Sequence, residues 1–61
     1  MRNIPIIIPA YEPDDRMVAL INDIRKIYDG LIIIVNDGSD EKYNYIFDDA
    51  EKQGAIVLNN Y

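Results

Sequence analysis

The chain contains no cysteine and no histidine. This excludes two staples that small domains often use, a disulfide framework and a Cys/His zinc site. At 61 residues, apolar burial only narrowly offsets the entropy of ordering the chain, so its stability must come from packing or from a partner. Basic residues are few and scattered: six Lys and Arg stand against eleven Asp and Glu, a formal net charge of -5. Phosphate neutralisation supplies most nucleic-acid affinity, so no nucleic-acid partner is expected. No apolar run approaches the roughly 18 residues of a membrane span, and no basic-then-apolar leader opens the chain. A soluble, cytoplasmic setting is the expectation.

What is present is organised around Leu31 to Asp40, LIIIVNDGSD. An unbroken apolar run of this length suits a strand covered on both faces in a parallel sheet. Asn36, Asp37, Gly38, Ser39 and Asp40 are turn formers, so the strand stops at Val35 or Asn36 with carboxylates at its carboxyl end. Ahead of it, Ile4 to Ile8 form a first apolar strand that Pro9 closes, and Pro9 and Pro13 prescribe a stiff loop. Asp14 or Asp15 then caps a helix. Met17, Leu20, Ile21, Ile24, Ile27 and Tyr28 recur at spacings of three and four, an amphipathic pattern ended by Asp29-Gly30, with Gly30 as a left-handed cap. A second helix starts near Glu41, capped by Ser39 or Asp40, with Tyr43, Ile46, Phe47 and Ala50 on one face. Gly54 stops it, Ala55 to Leu58 form a third strand, and Asn59-Asn60-Tyr61 open a loop.

The order is βαβαβ, so the fold class is α/β: a three-stranded parallel sheet, order 3-2-1, in a Rossmann-like half. Right-handed crossovers put both helices on one face. The first strand is then an apolar edge and the other sheet face is bare. The expectation is that residues 1–61 are an incomplete domain, or that the piece self-associates through the first strand's edge or the exposed face.

In open α/β sheets, ligands bind outside the carboxyl ends of the strands. There the loops Pro9-Ala10-Tyr11-Glu12 and Asn36-Asp37-Gly38-Ser39-Asp40 share one rim, since adjacent strands lie about 4.8 Å apart. Tyr11 can stack on a base, Asp37 can accept from the imide N–H of a pyrimidine, and Glu12 can accept from ribose hydroxyls. The same residue types also serve any strand-to-helix turn. Asp40 reads as a helix cap, Tyr43 as core, and Tyr45 as a half-exposed neighbour. Asp48, Asp49 and Glu51 read as a solvated helix face, and Arg25-Lys26 as surface.

The pair IPIIIPAYEPD and IIIVNDGSD, separated by an amphipathic helix, resembles the opening of family 2 glycosyltransferases. The common form there is P-x-Y-N/E, then an apolar strand ending in D-D-G-S. The resemblance spans essentially all 61 residues and implies the nucleotide-binding segment of a glycosyltransferase A-type fold, a nucleotide-diphospho-sugar transferase fold. It implies that Pro9, Tyr11 and Glu12 line the uridine side of a UDP-sugar site, with Ala10 and Gly38 in the same nucleotide-binding loops, and that Asp37 bonds the base. Two positions depart from the pattern: Asn36 replaces the first Asp of the pair, and Glu12 replaces the commoner Asn.

The family's D-x-D motif holds a divalent ion, Mg²⁺ or Mn²⁺, on the diphosphate, and no D-x-D occurs in this sequence. The metal is therefore expected only with later residues of a full-length protein. The segment alone is expected to bind nucleotide weakly and to carry no catalytic residue and no metal ligand. The alternative is a non-catalytic receiver-like module in which Asp14, Asp15 and Asp37 hold Mg²⁺ and a phosphoryl group. Against it, the second acidic loop follows the second strand rather than the third. A dinucleotide fold would need G-x-G-x-x-G after the first strand, which is absent.

Overall fold

The computed structural model describes residues 4–60. The elements are β1 (Ile6–Ala10), α1 (Asp15–Ile27), β2 (Ile32–Asn36), a 3₁₀ turn (Glu41–Tyr43), α2 (Asn44–Lys52) and β3 (Ile56–Asn59). The expected α/β class and sheet are present: three parallel strands in the order β1-β2-β3, with β2 in the middle. Tyr61, the end of the expected closing loop, lies outside the described residues.

Period-two alternation decides which side chains are core. Ile32, Ile34 and Asn36 of β2 are buried, whereas Ile33 and Val35 are half-buried. On the covered side, Ile6, Ile8 and Ala10 of β1 and Val57 of β3 join them against Met17 and Ile21 of α1 and Ile46, Phe47 and Ala50 of α2. Both helices therefore cover one face, as right-handed crossovers require. The expectation that β2 is covered on both faces does not hold, because this sheet has helices on one side only.

Four local details differ from the sequence reading. Pro9 lies inside β1 rather than closing it. Ile6 N–H donates to Leu31 and Asp37 N–H donates to Ala10, so even-numbered residues of β1 bond β2, and the missing N–H of Pro9 falls on the outer edge, where it costs no ladder bond.

In α1 the core stripe is Met17, Val18, Ile21 and Ile24, while Leu20 is 47% exposed and Ile27 is 86% exposed. Apolar spacing alone does not say how wide the buried stripe is, and with α2 on one flank these two residues fall on the other.

Gly30 is not a left-handed cap: only Gly38 and Gly54 among the glycines have positive φ. Tyr28 ends α1 in extended conformation. Its ring lies where a Cβ on Gly30 would sit, and its hydroxyl donates to the Ile4 carbonyl. The left-handed cap is at Gly54, with φ 88°. Gly54 N–H reaches Glu51 O and Ala55 N–H reaches Ala50 O, which together close α2 as a Schellman motif.

Arg25 is no plain surface residue. Its guanidinium donates to the carbonyls of Gly30 (2.5 Å), Gln53 (3.1 Å) and Gly54 (3.1 Å). It thereby ties the end of α1 to the end of α2. Lys26 stays exposed, paired loosely with Asp23.

Candidate functional site

β1 and β2 end side by side, with Ala10 in register with Asn36. The loops that leave them are joined twice. Asp37 N–H donates to Ala10 O at 2.9 Å, which carries the ladder one step past the strands. Glu12 N–H donates to Ser39 Oγ at 2.7 Å. Ser39 is buried, so its hydroxyl fixes the height of the first loop on the second. Glu12 is held at φ 48°, the one non-glycine residue with positive φ among those described. A non-glycine residue in the left-handed region persists only where its surroundings hold it; here Ser39 does part of the holding.

Behind this rim lies a polar chain that the sequence reading did not identify. Asn36 is only 2% exposed. Its Nδ2 donates to Asn59 Oδ1 (3.0 Å), and its Oδ1 accepts from Ser39 N–H (3.0 Å). Asn59, Asn36, Ser39 and Glu12 thus link the carboxyl ends of β3, β2 and the loop after β1. A signal was available: Asn36 is in phase with Ile32 and Ile34, and an amide at a core-facing position must find partners. At this position the chain has a buried amide donating to Asn59.

The expected site residues divide by accessibility. Tyr11 (64% exposed), Glu12, Asp37 and Gly38 all stand open to solvent. A Cβ on Gly38 would meet nothing within 4 Å, so only its φ of 81° asks for glycine. Pro9 is exposed on the sheet's outer side, while the Ala10 side chain is buried in the core. Ala10 can offer the rim only backbone, and its carbonyl is already taken by Asp37.

A groove of about 420 Å³ runs between β1 and α1, lined by Ile8, residues 9–14, Arg16, Met17 and Leu20. Tyr11 and Glu12 belong to its wall; Asp37 and Gly38 do not. A second, more polar cavity of about 290 Å³ lies toward β3 and α2, between Asn36, Asn44, Asp48, Glu51 and Asn59 over Phe47 and Val57.

The acidic residues near the rim have local duties. Asp14 caps α1, its carboxylate accepting from Arg16 N–H and from the Arg16 guanidinium through both oxygens. Those side-chain hydrogen bonds, more than the backbone one, hold its pKa below the usual 3.8. Asp40 caps the 3₁₀ turn by accepting from Lys42 N–H. Among the described residues no three His, Cys, Asp or Glu side chains gather where a metal ion could be held, and no helix is long and apolar enough to cross a membrane.

The chain matches no family model, no curated protein and no solved structure.

Proposed function

We propose that this chain is the donor-binding part of a glycosyltransferase, a segment that receives the nucleoside of a nucleoside diphosphate sugar, most simply UDP-sugar. The single observation that carries the reading is the double tie between the loops after β1 and β2, which puts exposed Tyr11, Glu12 and Asp37 on one rim. In this reading the Tyr11 ring stacks on uracil, Asp37 accepts from the imide N–H, and Glu12 accepts from ribose hydroxyls. The left-handed backbone at Glu12 supports it, because strain of this kind tends to gather where a chain binds a ligand.

The groove beside β1 supplies room next to Tyr11 for the rest of the nucleotide. Its wall holds Glu12, Asp14 and Arg16, but the Arg16 guanidinium is already paired with Asp14 and the chain is acidic overall, so a diphosphate finds no free cation there and affinity is weak. Among the described residues there is no divalent-ion site of the D-x-D kind. The segment binds; transfer of the sugar belongs to residues of a full-length enzyme. The receiver-like alternative is the weaker one, since Asp14 is already engaged by Arg16.

The test is a titration with UDP, and separately with Mg²⁺, followed by backbone amide shifts. The proposal expects UDP-dependent shifts at Tyr11, Glu12 and Asp37, and their loss in Asp37→Ala. Shifts confined to Asp14, Asp15 and Asp37 with Mg²⁺ alone favour the receiver-like reading. An unchanged UDP affinity in Asp37→Ala removes the base contact.

A further inference from the structure

Two Asp-Gly pairs occur in the chain, Asp29-Gly30 and Asp37-Gly38. An aspartate side chain can close on the nitrogen of a following glycine, because no Cβ screens that nitrogen. The fold treats the two pairs differently. At the first, the Tyr28 ring takes the room beside half-buried Gly30, and the Gly30 carbonyl accepts from Arg25 at 2.5 Å. The Gly30 nitrogen cannot swing toward Asp29 Cγ without breaking that bond. At the second, Asp37 and Gly38 are both exposed, and a Cβ on Gly38 would meet nothing within 4 Å. Among the described residues no hydrogen bond or ion pair holds the Asp37 carboxylate or the Gly38 N–H.

We propose that Asp37 is a site of spontaneous backbone modification, isomerising to isoaspartate, and that the change unlocks the rim. The Gly38 nitrogen attacks Asp37 Cγ: the N–Cγ bond forms, the nitrogen gives up its proton, and one carboxyl oxygen leaves as water. One water molecule then opens the resulting five-membered succinimide. Attack at Cγ restores aspartate. Attack at the former backbone carbonyl breaks the original C–N bond, leaves that carbon as a free carboxylate and routes the main chain through Cβ and Cγ. Water is lost once and regained once, so the mass is unchanged and no oxidant or reductant enters.

The position makes the change matter. Asp37 N–H is fixed on Ala10 O at 2.9 Å, and Ser39 N–H on Asn36 Oδ1 at 3.0 Å. The new bond path adds one carbon to the main chain between those two anchors, so both cannot keep their present places. Ser39 is also the residue whose hydroxyl accepts from Glu12 N–H at 2.7 Å. Glu12 stands at φ 48°, a conformation that relaxes once its holder shifts. Isomerisation in the loop after β2 is therefore felt in the loop after β1.

The test ages the full chain in warm neutral buffer, folded in one sample and unfolded in urea in another. Isoaspartate is located by electron-transfer fragmentation, which cleaves its Cα–Cβ bond. In the folded chain it should accumulate about tenfold or more faster at residue 37 than at residue 29, since Gly30 must first leave a charged donor. In urea the two rates should converge. Amide exchange at Glu12 should be faster in the fraction carrying isoaspartate at residue 37 than in fresh chain. Asp37→Glu, whose closure needs a slower six-membered ring, should age without that change. No isoaspartate at residue 37 of the folded chain, equal rates at 29 and 37 there, a difference that persists in urea, or unaltered exchange at Glu12 after conversion would each overturn the proposal. None of these results depends on whether UDP binds.

Discussion

Glu12 and Ser39 stand 27 positions apart in sequence, and the N–H of the first meets the hydroxyl of the second at 2.7 Å, inside the turn that follows β2. The bond locks two loops that strand pairing alone would leave at similar heights but free to move. It also holds Glu12 where a side chain with a Cβ seldom goes.

Removing the hydroxyl should therefore be felt twice. Ser39→Ala leaves a part-buried N–H without its acceptor, at a cost of about 1–3 kcal/mol, measured by urea unfolding, and amide hydrogen exchange at Glu12 should speed up. Glu12→Gly tests the other partner: it relieves the left-handed strain, so stability should hold or rise, while UDP-induced shifts weaken if the carboxylate contacts ribose. Unaltered exchange at Glu12 in Ser39→Ala would mean that the loop is held by something else.

Arg25 reaches three carbonyls at the ends of both helices. Arg25→Ala should cost about 1.5–3 kcal/mol, as loss of hydrogen bonds from a charged donor does, and loosening should begin at Gly30 and Gly54. Lys26→Ala, one residue along and exposed, should change stability little. Equal effects from the two substitutions would refute the clamp.

Asn36 sits in the core-facing phase of β2 yet carries an amide bonded to Asn59 and Ser39. Asn36→Leu keeps the branched heavy-atom skeleton but leaves the buried Ser39 N–H without the oxygen it donates to. It should destabilise the chain by about 1–3 kcal/mol despite adding apolar surface. A neutral or stabilising result would show that the polar chain behind the rim contributes nothing to holding it.

The cap of α1 has a definite pH sign. Because the folded Asp14 carboxyl lies below its ordinary value of 3.8, its stabilising contribution is complete above that value and disappears as pH falls through the lower folded one. The pair with Arg16 is exposed, so the effect is small and salt weakens it. In a carboxyl carbon titration, Arg16→Ala should move the Asp14 midpoint up toward 3.8; no movement would remove Arg16 as the cause.

Much of this was legible from order and spacing. The apolar runs and the helical face of Tyr43, Ile46, Phe47 and Ala50 specify βαβαβ, and a right-handed crossover with that order leaves few other sheets to build. Turn chemistry likewise located the rim after β2, because Asn36, Gly38 and Asp40 say where that strand stops, whereas Pro9 falls inside β1. Other features depended on contacts between distant residues. Leu20 and Ile27 share the apolar period of α1 but lie on the flank that α2 does not cover, and α1 ends in extended backbone at Tyr28, whose ring takes the room beside Gly30.

The sequence by itself determined the elements, their order and the sign of the surface, since these follow from local preference and composition. Only the tertiary structure decided that Asn36 is a buried link and that Ser39 serves Glu12 instead of a helix. It also decided that Arg25 joins two helix ends. The reason is that a hydrogen bond or a buried stripe between residues 27 or 28 apart is settled by where the whole chain puts them, which no window along the chain contains.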